Sequence, residues 1–84
     1  MPPYSASFPR GTRIRIVDRD ALETFKAEWK YHDPLTDDQL SYAGAEDTVR
    51  SLGYYHGGDV LYWLERTPGT WHEVCLVSAE KEQE

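Results

Sequence analysis

Hydrophobic and polar positions first alternate in "TRIRIV", where Ile14 and Ile16 interleave with Arg13 and Arg15. A period of two predicts a strand with one buried face. The period then changes. In "DALETFKAEW", Leu22, Phe25 and Trp29 form a single stripe on a helix. Asp20, with Glu23 three residues on, reads as an acidic capping box at its start. His32-Asp33-Pro34 reads as its stop, because the residue before proline avoids the helical region. "TDDQLSYAG" repeats the start signal, with Thr36 as cap and Gln39 following, and predicts one or two helical turns ended by Gly44.

Residues 48–56, 59–65 and 71–77 predict three further strands. Gly57-Gly58 supplies the positive φ values of a two-residue hairpin turn. That turn sets Tyr55 opposite Val60, Gly53 opposite Tyr62 and Arg50 opposite Glu65, the last an opposite-charge pair. Glycine there leaves room for a ring or marks a bulge. A five-residue loop around Pro68-Gly69 then sets Glu65 opposite Trp71, Trp63 opposite Glu73 and Leu61 opposite Cys75. One face carries Val49, Tyr55, Val60, Tyr62, Leu64, Val74 and Leu76. The other carries Leu52, Tyr54, Leu61, Trp63, Trp71 and Cys75. Both are apolar, so the second needs cover. The helical stripe, with Leu40 and the N-terminal arm, is the internal cover; a second chain or a ligand is the external one. A bulge at Ser51-Leu52-Gly53 would swap the faces upstream.

The 84 residues read as one small domain over 11–77, with an extended arm at 1–10 anchored by Tyr4 and Phe8, a helical insertion at about 21–43, and a frayed acidic tail at 78–84. The three tryptophans and six tyrosines give a short chain much of its burial. A net charge of −6 argues against general affinity for phosphate backbones or anionic membranes. One cysteine makes no internal disulfide, and no signal peptide or membrane span is legible, so the expected setting is cytoplasmic.

"YAGAEDTVRSLGYY", "DVLYWLE" and "WHEVCLV", after a first strand and an irregular excursion, resemble an SH3-like barrel over residues 11 to 77. The chain is similar to the barrel of the nitrile hydratase beta subunit and, more remotely, to ribosomal KOW segments. The resemblance implies a mainly β fold: a small barrel of four to five antiparallel strands with a helical insertion between the first two. "AGAEDTV" takes the place of the KOW glycine turn, with Asp47 where that pattern has its second glycine. In nitrile hydratase the catalytic metal belongs to the other subunit. The resemblance therefore implies a partner or scaffold module and transfers no catalytic residue.

The leading expectation is a non-catalytic protein-interaction module without a cofactor, docking on a protein partner or a second copy through Tyr54, Leu61, Trp63 and Trp71. No small-molecule substrate is legible. The alternative is a small metal protein or enzyme built on His56, Asp59, His72 and Cys75. Convergence of that set is opposed by strand geometry, which points His72 and Cys75 to opposite faces, as it does His72 and Glu73. His56 and Asp59, flanking the glycine turn, read as an acid–base pair or as a hydrogen-bonded turn. Cys75 reads as a small buried hydrophobe. A further alternative is RNA binding through the arginine-rich first strand, which needs exposed aromatics beside arginines.

Overall fold

A computed structural model describes residues 8–55 and 59–79. It is mainly β: five antiparallel strands form one open sheet, joined by a helical excursion. In chain order these are β1 (Arg13–Ile16), α1 (Arg19–Glu28), α2 (Asp37–Leu40), β2 (Glu46–Tyr54), β3 (Val60–Leu64), β4 (Trp71–His72), a 3-10 turn (Glu73–Cys75) and β5 (Leu76–Ser78). The strands run β4-β3-β2-β1-β5 across the sheet, with β4 and β5 at its edges. Among the described residues no pairing joins those edges, and no helix is long and apolar enough to cross a membrane.

The local signals are met closely. In β1, Ile14 and Ile16 are buried and Arg13 and Arg15 exposed. Helix α1 begins two residues earlier than its capping pattern predicts. Asp18, not Asp20, is the cap, and its carboxylate accepts from Ala21 N–H at 2.9 Å. Asp20 instead lies in the first turn, where the helix dipole favours an anion. Thr36 and Gln39 form the capping box of α2. Leu22, Leu35 and Leu40 of the excursion enter one core with Ile14, Ile16, Tyr62 and Trp71. Phe8 packs edge-on to Tyr62 at 5.7 Å, while Tyr4 of the arm and the acidic tail from residue 80 lie outside the described residues.

The long-range register differs from the expected one in three places. Tyr54, not Tyr55, pairs with Val60, and Tyr55 leaves the sheet exposed. The Gly57-Gly58 turn itself lies outside the described residues. A register shift at Arg50 then puts Val49 and Leu52, an odd number of positions apart, on the same core-facing side. Gly53 makes room not for Tyr62 but for Trp63, whose ring lies 3.3 Å from where a Cβ would stand.

The second hairpin is displaced by three positions: Trp71 pairs with Tyr62 and His72 with Leu61. The cause is Asp47. Its carboxylate is buried beneath the connection and accepts from Arg66 N–H (2.9 Å), Thr67 N–H (2.8 Å), the Thr67 hydroxyl (2.7 Å) and Thr48 N–H (2.7 Å). Asp47 does not adopt the left-handed backbone of a glycine turn; among the described residues Asp33 is the only non-glycine with positive φ. The same loop is tied by Gln39 Nε2 to Thr70 O, Trp63 Nε1 to Thr70 Oγ1 and Trp71 Nε1 to Pro68 O.

The strand expected over 71–77 breaks after His72. The 3-10 turn carries the chain across to β1, where β5 pairs. Val74 is thereby turned out to solvent instead of joining a covered face, while Cys75 is fully buried, as expected of a small hydrophobe.

Gly69 has φ of 99°, and a Cβ there would lie 2.8 Å from Gln39 Nε2. Gln39 cannot easily yield, because Thr36 N–H and Thr70 O hold both ends of its amide. Gly69→Ala is expected to lower the unfolding free energy by about 1–2 kcal/mol in urea titrations. A loss below about 0.5 kcal/mol would mean that the loop relaxes around the methyl group.

Candidate functional site

Among the described residues, polar and aromatic side chains gather where the excursion meets Tyr55, Asp59 and the 3-10 turn. Helix α1 ends because Trp29 takes an extended conformation. The Trp29 indole N–H then hooks back to the His32 carbonyl at 2.6 Å. Asp33 follows with φ of 50°, a left-handed residue of the kind aspartate tolerates. These bends bring His32 over the sheet. Its ring stacks on Tyr55 with centroids 3.6 Å apart and planes 15° from parallel.

Both nitrogens of His32 are engaged: Nε2 with Asp59 Oδ2 at 2.8 Å and Nδ1 with Asp33 Oδ2 at 3.0 Å. The hydrogen bond to Asp59 raises the His32 pKa above its ordinary 6.5; burial opposes this, and Asp33 adds to it. His72 Nε2 sits 2.8 Å from the Asp33 carbonyl. A carbonyl only accepts, so that nitrogen carries the proton. Phe25 stacks on Trp29 at 5.5 Å, and both rings lie 5.0 Å from His72. Tyr31, largely exposed, meets Trp29 edge-on at 5.0 Å.

Beside this cluster runs a groove of about 300 Å³, lined by Phe25, Trp29, Asp59, Val60, His72, Glu73 and Val74. Its walls are aromatic and aliphatic. Two carboxylates face it, and among the described residues no lysine or arginine does. The Glu73 carboxylate also accepts from the Tyr62 hydroxyl at 2.8 Å. His72 and Glu73, expected on opposite faces of a strand, line the same groove because a 3-10 turn starts between them.

The residues expected to make a partner surface are scattered. Trp71 is fully buried in the core, since the shifted register sets it against Tyr62. Leu61 is buried, Trp63 half-buried against Gly53, and Tyr54 exposed. Of the acid–base pair, His56 lies outside the described residues, and Asp59 bonds His32. Asp59 and His72 share the groove, but Cys75 is sealed away, and burial pushes its thiol pKa up to about 12 against a hydrogen bond from the His72 backbone. Among the described residues no three His, Cys, Asp or Glu side chains group as a metal requires.

On β1, Arg13 and Arg15 both meet Glu46, at 3.0 and 3.8 Å, so that strand does not present bare cations. His32 is the residue that sequence reasoning passed over. Its spacing explains a helix stop, and nothing within ten residues announces a partner 27 positions away. Comparison of the chain with protein-family models, curated proteins and solved structures finds no match.

Proposed function

We propose that this protein is a non-catalytic docking module on an SH3-like plan, whose groove receives an extended segment of a protein partner bearing apolar and cationic side chains. The plan is supported by a last strand that returns to pair with the first and by a helical excursion between β1 and β2. The observation that carries the docking reading is the groove lining. Phe25, Trp29, Val60 and Val74 supply its apolar lining, and Asp59 and Glu73 its carboxylates. The chain's net charge of −6 adds long-range attraction for a basic partner. About 300 Å³ is small for enclosing a free ligand and suits a few side chains of a longer segment.

The test is NMR titration with a capped heptapeptide alternating leucine and arginine, beside a twin in which citrulline replaces arginine. The expected result is shifts confined to Trp29, Val60 and Val74, with Kd on the order of 100 μM, weaker for the uncharged twin and lost in Trp29→Ala. Unmoved groove resonances at millimolar peptide would sink the reading. Concentration-dependent self-association abolished by Trp29→Ala would replace the basic segment by a second copy.

A further inference from the structure

We propose that occupation of the groove is proton-linked, because a cation bound at Asp59 competes with the His32 imidazolium for the same carboxylate. This linkage rests on the docking reading above. Asp59 belongs to two structures at once: it lines the groove, and its Oδ2 lies 2.8 Å from His32 Nε2. His32 itself does not line the groove. It stands behind Asp59, clamped between that carboxylate and Asp33 and stacked on Tyr55.

The geometry demands two N–H donors from one ring. A charged imidazole has two; a neutral one has a single N–H and can donate to only one of the two carboxylates. The doubly bonded arrangement is therefore that of the imidazolium. Its charge is set against the same Asp59 carboxylate that an arginine or lysine of a partner would approach from the groove. Among the described residues, the titratable groups facing His32 are the Asp33 carboxylate on its own segment, Asp59, the Tyr55 phenol, and His72 from β4, whose ring is 5.4 Å away. Glu73 faces the groove from the 3-10 turn and stays tied to Tyr62. Among the described residues, no lysine or arginine on the groove lining stands ready to take the place of the imidazolium.

The sign follows from reciprocity. A bound cation weakens the hold of His32 on its proton, and the proton weakens the hold of Asp59 on the cation by the same factor. His32 titrates above its ordinary 6.5, so affinity is low below that value and rises as pH climbs through the raised one. Two like charges about 7 Å apart in a largely aqueous setting repel enough for about a three- to tenfold change in Kd. Saturating peptide should lower the His32 titration midpoint by the matching half to one pH unit, roughly.

The experiment is a titration of the full chain with the leucine–arginine heptapeptide at pH 6.0 and pH 8.5, with the His32 imidazole C–H resonances followed from pH 5 to 9, free and saturated. Tighter binding at the higher pH, a lowered His32 midpoint, and a flat pH response in His32→Gln together support the linkage. If the groove resonances move equally at both pH values and the His32 midpoint stays put, the linkage falls while docking stands. A pH response that survives in His32→Gln also overturns it. If no groove resonance moves at either pH, docking falls and the linkage with it. Should His32→Gln fold poorly, the midpoint comparison in the unaltered chain still decides.

Discussion

Tyr62→Ala is expected to lower the unfolding free energy by about 3–5 kcal/mol. A chain of this length has on the order of 4–12 kcal/mol in total, so the variant should be near the edge of folding. Tyr62 is fully buried in the middle of β3, between Leu52 of β2 and Trp71 of β4. Its ring meets Phe8 edge-on, and its hydroxyl donates to Glu73 Oε2 at 2.8 Å while accepting from Phe8 N–H at 3.3 Å. Truncation opens a large cavity among side chains that three strands hold in place, and it strands the Glu73 carboxylate's partner bond. Tyr62→Phe separates these contributions and should lose only about 1 kcal/mol. Val74→Ala is the control: Val74 is 66% exposed, so its loss should stay within about 0.5 kcal/mol. Thermal melting would show a fall in Tm of more than about 10 °C for Tyr62→Ala and almost none for Val74→Ala. The reverse order would mean that the faces of β3 and of the 3-10 turn are exchanged.

Asp47→Ala should be the next most damaging change, at about 2–4 kcal/mol. The side chain is buried, and one oxygen satisfies three donors of the 65–67 connection. Removing it leaves the N–H groups of Arg66 and Thr67 without their acceptor and frees the loop that sets the β3–β4 register. The effect also has a pH signature. Burial pushes the Asp47 carboxyl up, but the hydrogen bonds from the Thr67 hydroxyl and from the backbone of Thr48, Arg66 and Thr67 outweigh it, leaving the pKa below the ordinary 3.8. A carboxylate with a depressed folded-state pKa stabilises fully above its unfolded value and loses that contribution as pH falls through the folded one. Acid should therefore weaken the parent below about pH 4, while Asp47→Asn removes this component of the slope. Parallel acid-unfolding curves for the parent and Asp47→Asn would show that the carboxylate's charge contributes nothing.

How much was legible beforehand depended on distance along the chain. Ile14 and Ile16 alternate with arginines, Leu22 and Phe25 recur on one stripe, and Thr36 precedes Gln39; each is a signal spanning a few residues, and each has its counterpart in the fold. The pairing partner of Trp71 was not legible, because Pro68-Gly69 reads as the centre of a five-residue loop. The longer one that exists is organised by Asp47, 20 positions from Thr67. One signal did point there. Asp47 lies just inside the start of a strand, where a carboxylate asks for donors to satisfy it.

The candidate site was the least legible part. The sequence pairs Asp59 with its near neighbour His56; its partner among the described residues is His32, delivered by the bend after α1. His72 joins through the Asp33 carbonyl, 39 positions away.

From its amino acids alone this chain specified which segments bury a face and where its helices start, since periodicity and capping act through neighbours. Register, the break after His72, and the meeting of His32 with Asp59 were decided only in three dimensions. There, the need to satisfy buried polar groups outweighs what any short stretch prefers by itself.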